Sequence, residues 1–205
     1  IYFNSTTLNI YSPLPADVAY KNLDQLFDGS YSPFAGLSSM ASMINIHELY
    51  KVVLIDGLRV DFTPLDHGDD DVNPTCFALK FKAPTGESIV IATDHEARNN
   101  SINKNLLEFA KDTTILVHDA QYTEEEYKNR IGWGHSTAEA ALQNAIKCSA
   151  ERVILTHHHP QRNDEEIAQQ IRTFKTKNEY ARISFDFAKE LAHYDAISAK
   201  NLKKP

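Results

Sequence analysis

Residues 88–96 read Ser88-Ile89-Val90-Ile91-Ala92-Thr93-Asp94-His95-Glu96, an apolar, β-branched run that passes directly into an aspartate, a histidine and a glutamate. A short continuous apolar run bounded by polar residues is the pattern of a buried strand. The same arrangement recurs three times. Thr113-Thr-Ile-Leu-Val117 runs into His118–Asp119, Arg152-Val-Ile-Leu-Thr156 into His157–His158–His159–Pro160, and Leu58–Leu65 into Asp66–His67–Gly68. One polar strand end is an ordinary loop residue at the water boundary. Four strands that each end in His or Asp point to an α/β fold with a shared site along one sheet edge.

The segments between them fit that frame. Asp56–Gly57 splits Leu49–Ile55 from Leu58–Leu65 and predicts a tight hairpin, and Thr85–Gly86 predicts a second one between 75–82 and 88–93. Helices are expected over 103–111, from Thr123 to near Arg130, from Ser136 or Thr137 through Ile146, and from Asn163 or Asp164 to about Lys175. Residues 181–188 read as a last strand and 1–10 as a weak one. The Pro-, Ser- and Gly-rich stretch 11–36 reads as a long surface loop with a short helical piece. The expected organisation is a single domain over 1–196 with a frayed, lysine-rich tail over 197–205.

The chain has 205 residues and a formal net charge of -7. That charge argues against a long nucleic acid as the main partner, because such affinity comes from basic contacts to phosphates. No apolar run approaches the roughly 20 residues needed to span a bilayer. Cys76 and Cys148 stand in no metal-ligand spacing and read as reduced thiols, so a cytoplasmic protein with no membrane partner is expected.

Taken together, Asp66–His67–Gly68, Ala92–Thr93–Asp94, Val117–His118–Asp119–Ala120, Gly132–Trp133–Gly134–His135–Ser136–Thr137 and Leu155–Thr156–His157 resemble the metallo-β-lactamase superfamily. Within it they resemble the phosphodiesterase branch that includes ribonuclease Z. The resemblance implies an αββα sandwich with two divalent metal ions at one edge, zinc first and manganese or iron as alternatives. It implies His67 on the first metal, Asp94 bridging both and His157 on the second. It implies His135 as a catalytic histidine that is not a ligand, with Asp119 fixing its tautomer. His95, His118, Ser136 and Trp133 fall to supporting or substrate-loop roles, and a buried anchor is the commoner role for a tryptophan between glycines. His158 and His159 have no counterpart as ligands.

The family's first motif, His-x-His-x-Asp-His, is absent, and His47–Glu48 has no partners at that spacing. Two protein ligands then remain for each metal, where a catalytic zinc takes about three. The chain is therefore expected to be the C-terminal part of a longer hydrolase, inactive alone. Its open sheet face is expected to be covered by the missing N-terminal segment or by a second copy. The implied activity is hydrolysis of a small phosphodiester, such as a cyclic nucleotide, by a metal-bridging hydroxide. The rival reading is a degenerate fold serving as a non-catalytic interaction module. The absent motif favours the rival, and the retained His, Asp and His–Asp positions oppose it.

Overall fold

The computed structural model describes residues 7–30, 35–40, 42–49, 52–68 and 76–196. The expected tail, 197–205, lies outside them. The chain forms two compact units, Ile1–Val53 and Leu54–Pro205.

In the first unit, β1 (Leu8–Ser12) and β2 (Ile44–Glu48) pair in parallel, with α1 (Ala16–Leu26) between them in sequence. The 11 residues of α1 correct the expectation of a loop with only a short helical piece. Pro13 and Pro15 precede the helix, where a fixed φ and a missing N–H do no harm, and the following stretch has no glycine or proline until Gly29.

The remaining strands are β3 (Val52–Ile55), β4 (Leu58–Leu65), β5 (Cys76–Lys82), β6 (Ser88–Ala92), β7 (Ile115–Asp119), β8 (Arg152–Thr156) and β9 (Ser184–Phe187). They form one seven-stranded sheet in sequence order. β4, β5 and β6 are joined antiparallel, and β6, β7, β8 and β9 run parallel. Asp56 and Gly57 both have positive φ, 49° and 83°, as a two-residue hairpin turn with the twist of its strands requires. The helices of this unit are α2 (Ser101–Phe109), α3 (Glu124–Tyr127), α4 (Ala138–Lys147) and α5 (Asp164–Lys175).

Side chains decide the helix boundaries. Asn100, Thr123, Thr137 and Asn163 each accept a hydrogen bond from the backbone N–H three residues on, and Thr123 and Asn163 complete reciprocal boxes with Glu126 and Glu166. α3 stops at Tyr127, short of the expected Arg130. Its last side chain is drawn away to Glu96, and Arg130 N–H closes a turn onto the Tyr127 carbonyl.

Register places Ala92, His118, Leu155 and Phe187 in one row across four strands, with Val90, Leu116 and Val153 in the next. All seven are buried, packed with Leu106, Leu142, Ala145 and Phe174 from α2, α4 and α5. The opposite face is apolar as well. On it Val60, Ile115 and Ile154 are buried, Phe62, Phe77, Leu79, Phe81 and Ile89 are partly buried, and Ile91 is exposed.

The buried face carries a polar patch beneath the strand ends. His95 Nε2 donates to Asn103 Oδ1 (3.0 Å), and its Nδ1 accepts from the Asp66 N–H (3.3 Å). Asn144 Nδ2 donates to Asn103 Oδ1 (2.9 Å) and to His118 Nε2 (3.1 Å), while His118 Nδ1 donates to the Asp119 carbonyl (2.8 Å). Every ring nitrogen is satisfied with both histidines neutral. Burial, reinforced by the facing His95 ring, pulls His118 down to about 4, and burial also lowers His95.

Neutrality of this pair ties stability to pH. An unfolded histidine titrates near 6.5, so as pH falls below that value the unfolded chain takes up protons that the folded chain refuses. The stabilisation is whole above about pH 6.5 and is lost progressively toward pH 4, with His118 alone worth about 3 kcal/mol across the window. Urea unfolding at half-unit steps from pH 7.5 to 4.5 is expected to show this decline. A stability flat from pH 7 to 5 would contradict the neutral pair.

Candidate active site and metal centre

The C-terminal ends of β4, β6, β7 and β8 meet along one edge, and parallel pairing explains the convergence of the last three. The Ala92↔His118 and Asp119↔Thr156 register puts the residues that follow β6 and β8 level with the end of β7. Asp94 and His157 then leave the strands with φ of 55° and 61°. That left-handed conformation is uncommon for residues with a Cβ and costs on the order of 1–3 kcal/mol each. Both turn toward each other, with Asp94 Oδ1 3.7 Å from His157 Nε2.

His67 closes the cluster from the end of β4. Its Nδ1 donates to the Gly134 carbonyl (2.9 Å), which leaves Nε2 to accept or to bind a cation. The His67 and His135 rings meet edge to face at 5.0 Å, and His135 stacks on His157 at 4.7 Å. Gly134 has φ of 85°, and a methyl there would collide with the His67 imidazole and lie 2.9 Å from its carbonyl carbon.

The pair Asp119–His135 is formed. Asp119 is fully buried; its Oδ2 accepts from His135 Nδ1 (2.8 Å), and its Oδ1 accepts from the backbone N–H of Ser136 (2.9 Å) and of Gln121 (3.2 Å). Burial pulls the His135 pKa down, but the Asp119 hydrogen bond and charge outweigh it and hold the ring above its ordinary value. Nδ1 is committed, so Nε2 is the nitrogen that can exchange a proton with another molecule.

Glu96 holds the loop that carries His135, a role that sequence reading left open. It is fully buried, and its Oε1 accepts from Tyr127 Oη–H (2.6 Å) and Gly132 N–H (2.8 Å), its Oε2 from Gly134 N–H (2.9 Å). Asp66 does the same at the end of β4: buried, it accepts from Arg98 Nε (2.9 Å) and Nη2 (2.5 Å) and from Asn100 Nδ2. Neither carboxylate carries a sequence signal beyond standing next to a ligand type.

The other sequence candidates separate. Ser136 does not cap α4, which Thr137 does; its Oγ donates to the His95 carbonyl (2.5 Å) and accepts from Ala97 N–H (3.0 Å). His95 and His118 lie below the site in the polar core. His158 turns away, stacked on Phe187 at 5.2 Å, and His159 stands beside Tyr122 at 6.1 Å. Trp133 overturns the expectation of a buried anchor, being 63% exposed. The flanking glycines already fix the loop through Glu96, so the indole is free to face solvent.

The donor set fits a divalent cation. His67, Asp94 and His135 offer ligand atoms within 4.8 Å of one another, as do Asp119, His135 and His157. Mixed imidazole and carboxylate donors suit zinc, manganese or iron. The Gly134 carbonyl orients His67 as outer partners orient ligating histidines. With its Nδ1 on Asp119, His135 can enter either set only through Nε2.

Two substitutions test how the loop is held. Glu96→Gln puts an amide donor against three existing donors and is expected to cost about 1–3 kcal/mol of stability, measured by denaturant unfolding. Gly134→Ala is expected to displace His67 and to weaken zinc binding at least about tenfold, the penalty for disturbing a ligand's outer partner, read by titration against a chromophoric chelator. Unchanged stability in the first, or unchanged zinc affinity in the second, would show that the loop is held otherwise.

The Beta-lactamase superfamily domain model matches residues 14–158, a span that includes every residue of this cluster. The ribonuclease Z of Bacillus velezensis is 29% identical over 108 residues, which cover 52% of this chain and 34% of that protein. The metallo-β-lactamase fold protein YhfI from Bacillus subtilis superposes with a TM-score of 0.61 at 14% identity, over 91% of this chain and 63% of that one. Yeast PDE1 gives 0.64 at 13% identity, over 90% and 58%. The chain thus spans about a third of the ribonuclease Z it matches and about three fifths of these structural neighbours. The sheet order, the cluster at its edge and the match over 14–158 agree: the chain belongs to the β-lactamase superfamily domain family and has the metallo-β-lactamase fold.

Proposed function

We propose that this chain carries part of the catalytic centre of a metal-dependent phosphodiesterase acting on a small phosphodiester. The observation that carries the reading is the Asp119–His135 pair beside His67, Asp94 and His157. A histidine held by Nδ1 with Nε2 free beside metal donors can ligate a metal or pass a proton, and the phosphodiesterase reading takes the second. Cleavage of a phosphodiester leaves an alkoxide or phenoxide that takes a proton, and His135 Nε2 would give it.

His67, Asp94 and His157 would hold the metal ions. When bound, these supply an acidified water and positive charge beside the phosphoryl oxygens. The chain's own part is orientation and proton transfer. Asp119 holds the imidazole by Nδ1 and favours its protonated form, and Ser136 and Gln121 N–H groups keep the carboxylate in place. The net charge of -7 favours a small substrate over a long polyanion.

The apolar outer face of the sheet bears on the assembly. Exposed Ile91, set among partly buried Leu79, Phe81 and Ile89, forfeits roughly 25 cal/mol for each Å² of apolar surface left in water. We assign its cover to a further segment of the same protein or to a second copy.

The test is hydrolysis of bis(p-nitrophenyl) phosphate by the protein expressed from its full gene and loaded with zinc or manganese. His135→Ala is expected to lower kcat about 10²–10⁴-fold, the usual range for a lost acid–base group, with metal content unchanged. Asp94→Asn is expected to lose metal and activity together. Loss of metal in His135→Ala would make this histidine a ligand. No hydrolysis by the metal-loaded wild type would overturn the phosphodiesterase reading.

A further inference from the structure

A cavity of about 590 Å³ opens beside the cluster, and Gln121, Tyr122, Arg130, Trp133, His135 and His159 are among the residues that line it. Other depressions of the surface have volumes that would admit a small molecule as well, so its place beside His135 is what singles it out. Most of these walls are rings. Tyr122 meets His135 edge to face at 6.0 Å and is tilted against His159 at 6.1 Å, and the Arg130 guanidinium lies over Tyr122 at 5.2 Å and over Trp133 at 5.9 Å.

Trp133 is the largest exposed apolar side chain among the described residues. It is the single tryptophan of the sequence, and it stands 63% exposed on a loop pinned from within by Glu96. An exposed apolar side chain standing singly is ordinary; this one is held by a fixed backbone and forms one wall of the cleft that His135 also lines. Its neighbour Arg130 donates Nη1 to the Glu126 carbonyl (2.9 Å), which fixes the guanidinium against the rings.

We propose that this cleft is the leaving-group subsite of the enzyme and that it takes a planar, heteroaromatic ring stacked on Trp133. The inference rests on the phosphodiesterase reading and deepens it. His135 belongs to both the cluster and the cleft wall. The water oxygen forms the new bond to phosphorus while the bond to the leaving oxygen breaks. The leaving oxygen departs with that electron pair, takes the proton of His135 Nε2, and a proton of the attacking water restores the histidine. The leaving oxygen must therefore lie within reach of His135, and the group attached to it extends along the wall that His135 shares. Gln121 and Gln161 add amide donors and acceptors that can meet ring nitrogens and exocyclic oxygens.

Indole emission makes the binding event visible. Adenosine 5′-monophosphate titrated into the metal-loaded full-length protein is expected to quench saturably the part of the indole emission that Trp133→Phe removes. Ribose 5-phosphate, with the same phosphate and no ring, is expected to leave it unchanged over the same range. Trp133→Ala is expected to raise KM for bis(p-nitrophenyl) phosphate about tenfold, the worth of one stacked ring, with a smaller fall in kcat; Trp133→Phe should restore most of the loss. Equal quenching by both phosphates, or none by either, would overturn the ring site, as would an unchanged KM in Trp133→Ala. Quenching by the nucleotide alone, in a wild type that hydrolyses no diester, would sink the leaving-group role together with the phosphodiesterase reading and leave a ring-binding cleft.

Discussion

A carboxylate with no water around it must be met on every side by donors, and Asp119 is such a group: fully buried, at the end of β7, with His135, Ser136 and Gln121 supplying the donors. Left unpaired it would cost several kcal/mol. The cheapest way for the chain to bury it is to bring residues 132–137 across the end of the sheet. That movement fixes His135 and puts the Gly134 carbonyl on His67. Glu96 repeats the device one strand away with Tyr127, Gly132 and Gly134. The site is thus held by three buried carboxylates, Asp66, Glu96 and Asp119, none of which has to touch a substrate.

Strain sits where the ligand types sit. Asp94 and His157 both adopt positive φ just after parallel strands, at the level where their side chains face each other. The polar core below, His95–Asn103–Asn144–His118, links the loop after β6 to the end of β7 through fully satisfied hydrogen bonds. A network satisfied only by neutral histidines specifies one arrangement of those loops and gives the sheet edge its rigidity.

Much of this was legible in the residues. Apolar runs ending in Asp94, His118–Asp119 and His157 located β6, β7 and β8, because a buried strand and the polar residue that stops it are both local signals. Asp56–Gly57 located a hairpin for the same reason. The pairing of Asp119 with His135 came from a family pattern, not from spacing. What could not be read was long-range: that Glu96 would reach Gly132 and Gly134, that Asp66 would take Arg98 and Asn100, and that His158 would turn under Phe187. Trp133 was misread because size and apolarity argue for burial, and only the fixed loop shows that its ring is displayed. α1 runs longer than the short helical piece expected, because prolines and serines around it resemble a loop and no side-chain cap marks its start.

In the proposed reading, strand ends of this chain hold the cations through His67, Asp94 and His157. Anomalous diffraction at the zinc edge, from crystals of the protein grown with zinc, tests it directly. The expected result is zinc at the Asp94 carboxylate, one ion reached by His67 Nε2 and one by His157 Nε2, with His135 Nδ1 still on Asp119. Zinc bound instead at His158 or His159, or a well-ordered edge in which those three side chains hold no metal, would contradict it.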